Sequence, residues 1–218
     1  MSRQKKIAVV LSGCGVDDGS EIHEAVMTLL AIDRRGAVCQ CFAPDIAQRD
    51  VIDHAHGRPQ AENRNVLIES ARIARGQIRD LAAFDASDFD ALVFPGGFGA
   101  AKNLCSYAVD GVDCTVLPVV AAAINGMKAA GKPIGALCIS PVLLTRVLGA
   151  ITVTIGNDPG TAADITRLGG RHEECDHGAV VVDRASKVVT APCYMLNASI
   201  GQIADDADAL IRAILELC

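Results

Sequence analysis

Short apolar runs alternate along the chain with segments whose apolar residues recur at helical spacing. Short runs of this kind, bounded by glycine, proline and polar residues, are typical of buried strands. They are "KIAVVL", "AVCQCFA", "DALVF", "PIGALC" and "ITVTIG". Strands that alternate with helices predict an α/β fold, a parallel sheet with helices on both faces and right-handed crossovers.

The intervening segments predict helices with recognisable ends. We place one helix after Ser20 as its N-cap, with Glu21 and Glu24 in the first turn and Gly36 at its end. Another is expected from about Glu62 to Arg75. Three more are predicted in "LPVVAAAINGMKAAG", "SPVLLTRVLG" and "GTAADITRLGG".

The end of the chain has a different pattern. "AVVVDRASKVVTAP" contains two alternating runs around a polar turn, which predicts a hairpin, and residues 198–217 predict a closing amphipathic helix. Residues 45–61 are polar and unpatterned and are expected to be an excursion. No repeat or linker divides the sequence, so we predict one domain over residues 1–218.

Composition and charge exclude several classes of function. Half of the residues are apolar but only 3% are aromatic, so the core is expected to be aliphatic. The net charge of −6, without a basic stripe, argues against a nucleic-acid or membrane partner. The longest uncharged run, residues 114–127, is too short to span a bilayer, and the apolar run Ile7–Leu11 is too short for a signal peptide. A cytoplasmic protein is expected.

The nine cysteines do not suggest disulfides or a metal site. Their number is odd, their spacing is irregular, and no C-x-x-C pair occurs, so reduced, mostly packed thiols are expected. We therefore predict no bound metal. The glycines of "SGCGVDDG" do not have dinucleotide-binding spacing, and Asp17 and Asp18 would repel a pyrophosphate. We therefore also predict no flavin or nicotinamide cofactor.

One cysteine is placed differently from the others. Cys138 ends an apolar run and precedes "SP" and a helical pattern, which predicts a sharp strand-to-helix turn with an exposed thiol near a helix N-terminus. The loops "SGCGVDDGSE" and "PGGFG" are expected at the same edge of the sheet, because the carboxyl ends of parallel strands share that edge. Gly97 and Ile139 could donate backbone N–H groups to an oxyanion there.

These motifs together resemble a known superfamily. "LSGCGVDDGSEIHEA", "PGGFGAAKNL" and "CISP", with "RNVLIE", "TIGND" and "APCYML", are similar to the PfpI / class I glutamine amidotransferase-like superfamily. The similarity is greatest to its ElbB branch, the glyoxalases associated with isoprenoid biosynthesis. It implies a flavodoxin-like, doubly wound parallel sheet and a homodimer. It also implies Cys138 as the nucleophile, contacted by a glutamate of the first helix, which falls on Glu21.

The sequence also departs from that superfamily. Protease-like members have a histidine directly after the cysteine, where this chain has Ile139. His172 and Glu174 have the H-x-E spacing of amidotransferases but precede the hairpin, so we expect them on a surface strand. His23 lies two positions from Glu21 and is expected to point away from it. A histidine-dependent hydrolase is therefore disfavoured.

The expected chemistry is the conversion of glyoxal or methylglyoxal to glycolate or lactate without a cofactor. The Cys138 thiolate would add to the aldehyde, and a protonated Glu21 would favour the thiolate and move protons between the two carbons. Three alternatives stay open. The protein could be a redox sensor in which Cys138 is oxidised, a regulatory protein of isoprenoid metabolism, or a deglycase that repairs glycated proteins.

Overall fold

The computed structural model describes residues 3–218. Within that range the α-helices are α1 Ile22–Arg34, α2 Val66–Ile73, α3 Phe98–Lys102, α4 Tyr107–Asp110, α5 Pro118–Ala129, α6 Pro141–Leu148, α7 Pro159–Arg167 and α8 Ile200–Leu217. The strands are β1 Lys6–Val10, β2 Val38–Ala43, β3 Ile52–Asp53, β4 Arg58–Pro59, β5 Ile78–Asp80, β6 Ala91–Phe94, β7 Ile134–Leu137, β8 Thr152–Val153, β9 Arg171–His172, β10 Val181–Asp183 and β11 Val188–Ala191.

Seven strands form one sheet in the order β10-β11-β7-β6-β1-β2-β5. All neighbours are parallel except β10 and β11, which form the antiparallel hairpin expected near the C-terminus. The predicted α/β, flavodoxin-like fold with a hairpin and a closing helix is confirmed. From β1 the chain continues to β2 on one side, whereas β6 and β7 extend the sheet on the other. The strand order therefore reverses between β1 and β6. A ligand crevice is expected beyond the carboxyl ends of these two strands.

Both faces of the sheet are buried. In β1, Ile7 and Val9 pack into the apolar cluster beneath α1 and α8, whereas Ala8 and Val10 pack into the cluster beneath α5 and α6. This alternation follows from the two-residue period of a strand. It explains why β1 reads as a continuous apolar run with no polar positions.

Several boundaries differ from the sequence prediction. The second helix begins at Val66, not near Glu62, because the Asn65 side chain accepts the N–H of Ile68 as an N-cap. The excursion contains the short hairpin of β3 and β4, and the edge strand β5 was not predicted. The run "ITVTIG" gives only β8, which pairs with β9 in a separate small sheet.

Candidate active site

The Cys138 elbow is formed as the sequence predicts. Cys138 follows β7 and has a positive φ of 59°, a conformation that a non-glycine residue adopts only under constraint. Its N–H donates to the carbonyl of Ala191 on β11, and the Ser140 hydroxyl donates to the carbonyl of Pro95 after β6. The elbow is therefore tied to both neighbouring strands.

The thiol of Cys138 is less accessible than the sequence suggests. The residue is only 7% exposed, so the expectation of an exposed cysteine is wrong. It lies instead at the wall of an open cavity of about 390 Å³. The other lining residues are mostly apolar or aromatic: Val16, Glu21, Gly97, Phe98, Ala101, Tyr107, Ala108, Ile139, Thr161, Tyr194 and Met195. Small molecules can thus approach the sulfur from one side.

The carboxyl group that contacts Cys138 belongs to Glu24. The Glu24 side chain is fully buried and contacts the Cys138 side chain, and each group shifts the pKa of the other. Its Oε2 accepts the N–H of Gly96 at 2.9 Å, and its Oε1 accepts the N–H of Tyr194 at 3.3 Å. The sequence prediction assigned this contact to Glu21, whose carboxyl instead accepts the backbone N–H of Glu24.

Glu21 is the N-cap of α1, a position that the sequence assigned to Ser20. One oxygen of Glu21, Oε2, accepts the N–H of Glu24 at 2.7 Å, so this carboxylate folds back onto its own helix. The Ser20 hydroxyl is engaged differently, because it accepts the N–H of Ser12 in the first loop. The helix therefore begins one residue later than predicted, and Glu24 is the acid that enters the core. Glu21 still lines the cavity.

The two predicted backbone donors lie at the thiol. The N–H groups of Gly97 and Ile139 hydrogen-bond Cys138 and act to lower its pKa. The backbone of Gly97 has a φ of 95°, which only glycine adopts readily. Their role as an oxyanion hole stays a prediction, but the structure brings both amides to the reactive atom.

Burial governs the protonation of the pair. Removal from water, followed by the charge of Glu21, raises the pKa of Glu24 to about 8. Burial, followed by the charge of Glu24, also raises the pKa of Cys138 well above its usual range. Because the charge of Glu24 is one cause of the raised pKa of Cys138, the ionisation of each group depends on the other.

Backbone donors face both members of this pair. Gly96 and Tyr194 donate to Glu24, while Gly97 and Ile139 donate to Cys138. Backbone donors thus face whichever of the two atoms carries the negative charge of the singly ionised pair. A proton can therefore move between the two atoms during a reaction.

Gly96 leaves no room for a side chain at this contact. A Cβ atom on Gly96 would lie 2.5 Å from the Cβ of Cys138 and 2.6 Å from Oε2 of Glu24. A Cβ atom does not come this close to a nonbonded heavy atom in a folded protein. The first glycine of "PGGFG" therefore allows the strand-to-helix turn after β6 to pack directly against the thiol and the acid.

The histidines are placed partly against expectation. His23 does not point away from Glu21, because its Nδ1 lies 4.0 Å from Oε1 of Glu21 and 2.7 Å from the hydroxyl of Tyr194. His172 lies in β9, away from the residues that line the cavity. Tyr194 was not singled out from the sequence, although it lies in the quoted segment "APCYML". Within residues 3–218, no group of three or more potential ligands is arranged to hold a metal ion.

The comparisons with known proteins agree with this architecture. No protein-family model matches the chain. A human protein named glutamine amidotransferase-like class 1 domain-containing protein 3, mitochondrial, is 49% identical over 222 residues, which cover 97% of this chain and 83% of the human one. The chain belongs to this glutamine amidotransferase-like family. The family includes the zebrafish ES1 protein, mitochondrial, 38% identical over 206 residues that cover 87% of this chain and 76% of that protein.

Solved structures extend the comparison. The crystal structure of an isoprenoid biosynthesis protein with an amidotransferase-like domain from Ehrlichia chaffeensis is 38% identical, with a TM-score of 0.92 over 98% of this chain and 99% of that one. Glyoxalase III from Candida albicans is 13% identical, with a TM-score of 0.63 over 96% of this chain and 97% of that one. The latter likeness shows a shared fold alone.

The comparisons contradict one expectation of the sequence. Relatives that are 38% to 49% identical over most of this amidotransferase-like chain are named mitochondrial proteins. These names point to mitochondria, so the expectation of a cytoplasmic protein is wrong. Separately, no helix in the described part of the chain combines the length and apolar composition needed to cross a bilayer.

Proposed function

We propose that this protein is a cofactor-independent glyoxalase that converts an α-oxoaldehyde such as glyoxal or methylglyoxal into the corresponding 2-hydroxy acid. The observation that carries the proposal is the buried Glu24–Cys138 pair, with amide donors on both partners, at the wall of an open apolar cavity. This arrangement supplies a nucleophile, a proton carrier and donors for an oxyanion.

The first step forms a carbon–sulfur bond. In the singly ionised pair, the Cys138 thiolate adds to the aldehyde carbon, and the carbonyl π bond becomes an alkoxide that Gly97 and Ile139 stabilise. Protonated Glu24 then gives its proton to the alkoxide. The product is a hemithioacetal, and Glu24 is left as a carboxylate.

The second step moves hydrogen between the two carbons. The Glu24 carboxylate removes the proton from the hemithioacetal carbon, which gives an enediolate, and then returns it to the neighbouring carbon. The proton of the hemithioacetal hydroxyl passes to the second oxygen. The result is a thioester of Cys138 with a hydroxyl group on the adjacent carbon, an isomer of the hemithioacetal.

Water completes the cycle. A water molecule attacks the thioester and gives one proton to Glu24, its hydroxide bonds to the acyl carbon, and the Cys138 thiolate leaves. The net reaction adds one water to the α-oxoaldehyde, so no oxidant, reductant or thiol cofactor is consumed.

Product analysis tests the proposal. The parent protein incubated with methylglyoxal, without glutathione, should form lactate, and Cys138→Ser should form none above buffer. Cys193→Ser is the matched control, because Cys193 is also buried but lies outside the residues that line the cavity. A parent that forms no lactate or glycolate would refute the proposal. Fast oxidation of Cys138 in such a protein would then favour a thiol sensor.

A further inference from the structure

Tyr194 reaches the candidate site in two ways. Its backbone N–H donates to Oε1 of Glu24 at 3.3 Å, and the residue lines the cavity at whose wall Cys138 lies. It directly follows Cys193, whose positive φ of 44° turns the chain at this point. A single residue thus connects the buried acid with the space in which a substrate would lie.

The hydroxyl of Tyr194 is held by His23. The Nδ1 atom of His23 lies 2.7 Å from the hydroxyl, and the two rings are 5.9 Å apart between centroids. Within residues 3–218, the His23 side chain has no other hydrogen bond, and Oε1 of Glu21 lies 4.0 Å from its Nδ1.

The 2.7 Å contact fits the tautomer of His23 in which Nδ1 carries the proton and donates to the oxygen of Tyr194. The phenolic O–H of Tyr194 is then free to rotate toward the cavity and to donate to a ligand there. Burial, together with the charges of Glu21 and Glu24, raises the pKa of Tyr194 above its usual range. The hydroxyl therefore keeps its proton and remains a donor.

A second tyrosine of the same cavity shows the opposite arrangement. The Tyr107 hydroxyl donates to Oδ2 of Asp164 at 2.8 Å. A carboxylate only accepts hydrogen bonds, so the proton of Tyr107 is committed to Asp164. The cavity thus contains one tyrosine whose donor is available and one whose donor is occupied.

We propose that Tyr194 is a catalytic hydrogen-bond donor to the second carbonyl oxygen of the bound α-oxoaldehyde, and that His23 is the positioning residue that orients its hydroxyl. The assignment rests on the proposed function. When Glu24 removes the carbon-bound proton, negative charge develops on that second oxygen, and a donor placed there lowers the barrier. Tyr194 keeps its proton throughout, so the step needs no further reactant.

The test compares the two tyrosines in the full chain with methylglyoxal as the probe. Tyr194→Phe should lower kcat by about 10²-fold, the effect of removing a single oxyanion donor. Tyr107→Phe, the comparison variant in the same cavity, should lower kcat much less than Tyr194→Phe, because the proton of Tyr107 is already committed to Asp164. Alkylation of Cys138 by iodoacetamide should be unchanged in both variants, because neither hydroxyl contacts the thiol.

His23 is tested through its coupling to Tyr194. His23→Leu should lower kcat less than Tyr194→Phe, and adding it to Tyr194→Phe should cause no further loss, because the two act as one unit. His23→Asn should restore part of the activity, since its amide can donate from a similar position. A purely structural role of His23 would instead give additive losses.

The outcomes separate this assignment from the proposed function. If the parent forms lactate and Tyr194→Phe lowers kcat no more than Tyr107→Phe does, the role of Tyr194 is refuted while the glyoxalase stands. Additive effects of His23→Leu and Tyr194→Phe would refute the positioning role of His23. If the parent forms no 2-hydroxy acid, the proposed function fails and this assignment fails with it.

Discussion

The carboxyl group of Glu24 contacts the thiol of Cys138 at the edge of the core, where Glu24 is fully buried and Cys138 lies at the wall of the cavity. The two residues come from distant segments, the first helix and the turn after β7. Their contact makes the ionisation of each depend on the other, and the following predictions derive from that dependence.

The pH dependence of Cys138 reactivity should report the pair. Burial raises the pKa of Glu24 to about 8, so both protons are retained at lower pH and the thiol is then a poor nucleophile. The charge that Glu24 gains near pH 8 raises the pKa of Cys138, so we expect the alkylation rate of Cys138 to stay low through pH 8 and to rise only at higher pH. In Glu24→Gln the rise should move to lower pH, because burial still raises the pKa of Cys138 but the charge of Glu24 no longer does.

Cys39 provides an internal control for that experiment. It is exposed on β2, and a hydrogen bond from Cys41 lowers the pKa of Cys39 to about 7. Peptide mapping distinguishes the two thiols in the same sample. The Cys39 profile should be identical in the parent and in Glu24→Gln, and an unshifted Cys138 profile in the variant would contradict the coupling.

The same pKa shift predicts how stability changes with pH. In the unfolded chain the Glu24 carboxyl ionises near its ordinary value of 4.5, whereas in the folded protein it retains its proton up to about 8. The folded state binds the extra proton, so its stabilisation by this group is complete below pH 4.5 and is lost as the pH rises to 8.

Glu24→Gln removes this dependence. The free energy of unfolding of the variant minus that of the parent should therefore increase between pH 5 and pH 9. A change of a few kcal/mol is expected, since one pKa unit corresponds to about 1.36 kcal/mol. Urea unfolding at both pH values measures it. A difference that stays constant with pH would show that Glu24 titrates normally in the folded protein.

Gly96 should tolerate no side chain. In Gly96→Ala the new methyl group would overlap Cys138 and Glu24, so these side chains must move apart. A displacement of about 1 Å at a reacting group can lower activity by about 10²-fold. We expect Gly96→Ala to lose activity to this extent while its circular dichroism spectrum stays the same as that of the parent. Gly201→Ala is the control, because its Cβ meets only Ser199 Oγ at 3.7 Å; equal activity of the two variants would contradict the packing argument.

The size of the cavity predicts a preference among substrates. A volume of about 390 Å³ falls in the range of roughly 300–1,000 Å³ that holds larger ligands, and the lining is mostly apolar. Phenylglyoxal should therefore have a higher kcat/KM than glyoxal, by roughly 10-fold or more, since burying an aromatic ring contributes about 1.5–3 kcal/mol.

Phe98 and Ile68 give the matched pair of variants for this preference. Both are exposed apolar residues, 49% and 64% respectively, but only Phe98 lines the cavity. Phe98→Ala should reduce the preference for phenylglyoxal, and Ile68→Ala should leave it unchanged. A parent enzyme that uses glyoxal better than phenylglyoxal would show that the cavity does not bind the substituent.

The sequence predicts the elbow better than it predicts the acid beside it. Cys138, Gly97 and Ile139 lie at the ends of clear apolar runs, and their places follow from the parallel sheet alone. Glu21 and Glu24 lie three positions apart on one helix face, so the pattern does not distinguish them. The Ser20 hydroxyl accepts the N–H of Ser12, so Glu21 takes the N-cap position and Glu24 is the acid that enters the core.

Other features depend on contacts that no local pattern encodes. The edge strand β5 is three residues long and contains a single apolar residue, Ile78, so no apolar run marks it. Tyr194 enters the site through the turn after β11, and its partner His23 comes from α1. Those contacts arise from the packing of the closing segment against the first helix, which the sequence alone did not show.

The central claim is that Glu24, and not Glu21, carries protons for Cys138. The direct measurement is the rate of lactate formation from methylglyoxal by Glu24→Gln and Glu21→Gln, with Cys138 alkylation at pH 9 measured on the same samples. We predict a loss of roughly 10²- to 10⁴-fold for Glu24→Gln, as for removal of a general acid–base group, and a much smaller loss for Glu21→Gln, with Cys138 still alkylated in both. Full activity of Glu24→Gln, or a greater loss in Glu21→Gln, would contradict the account.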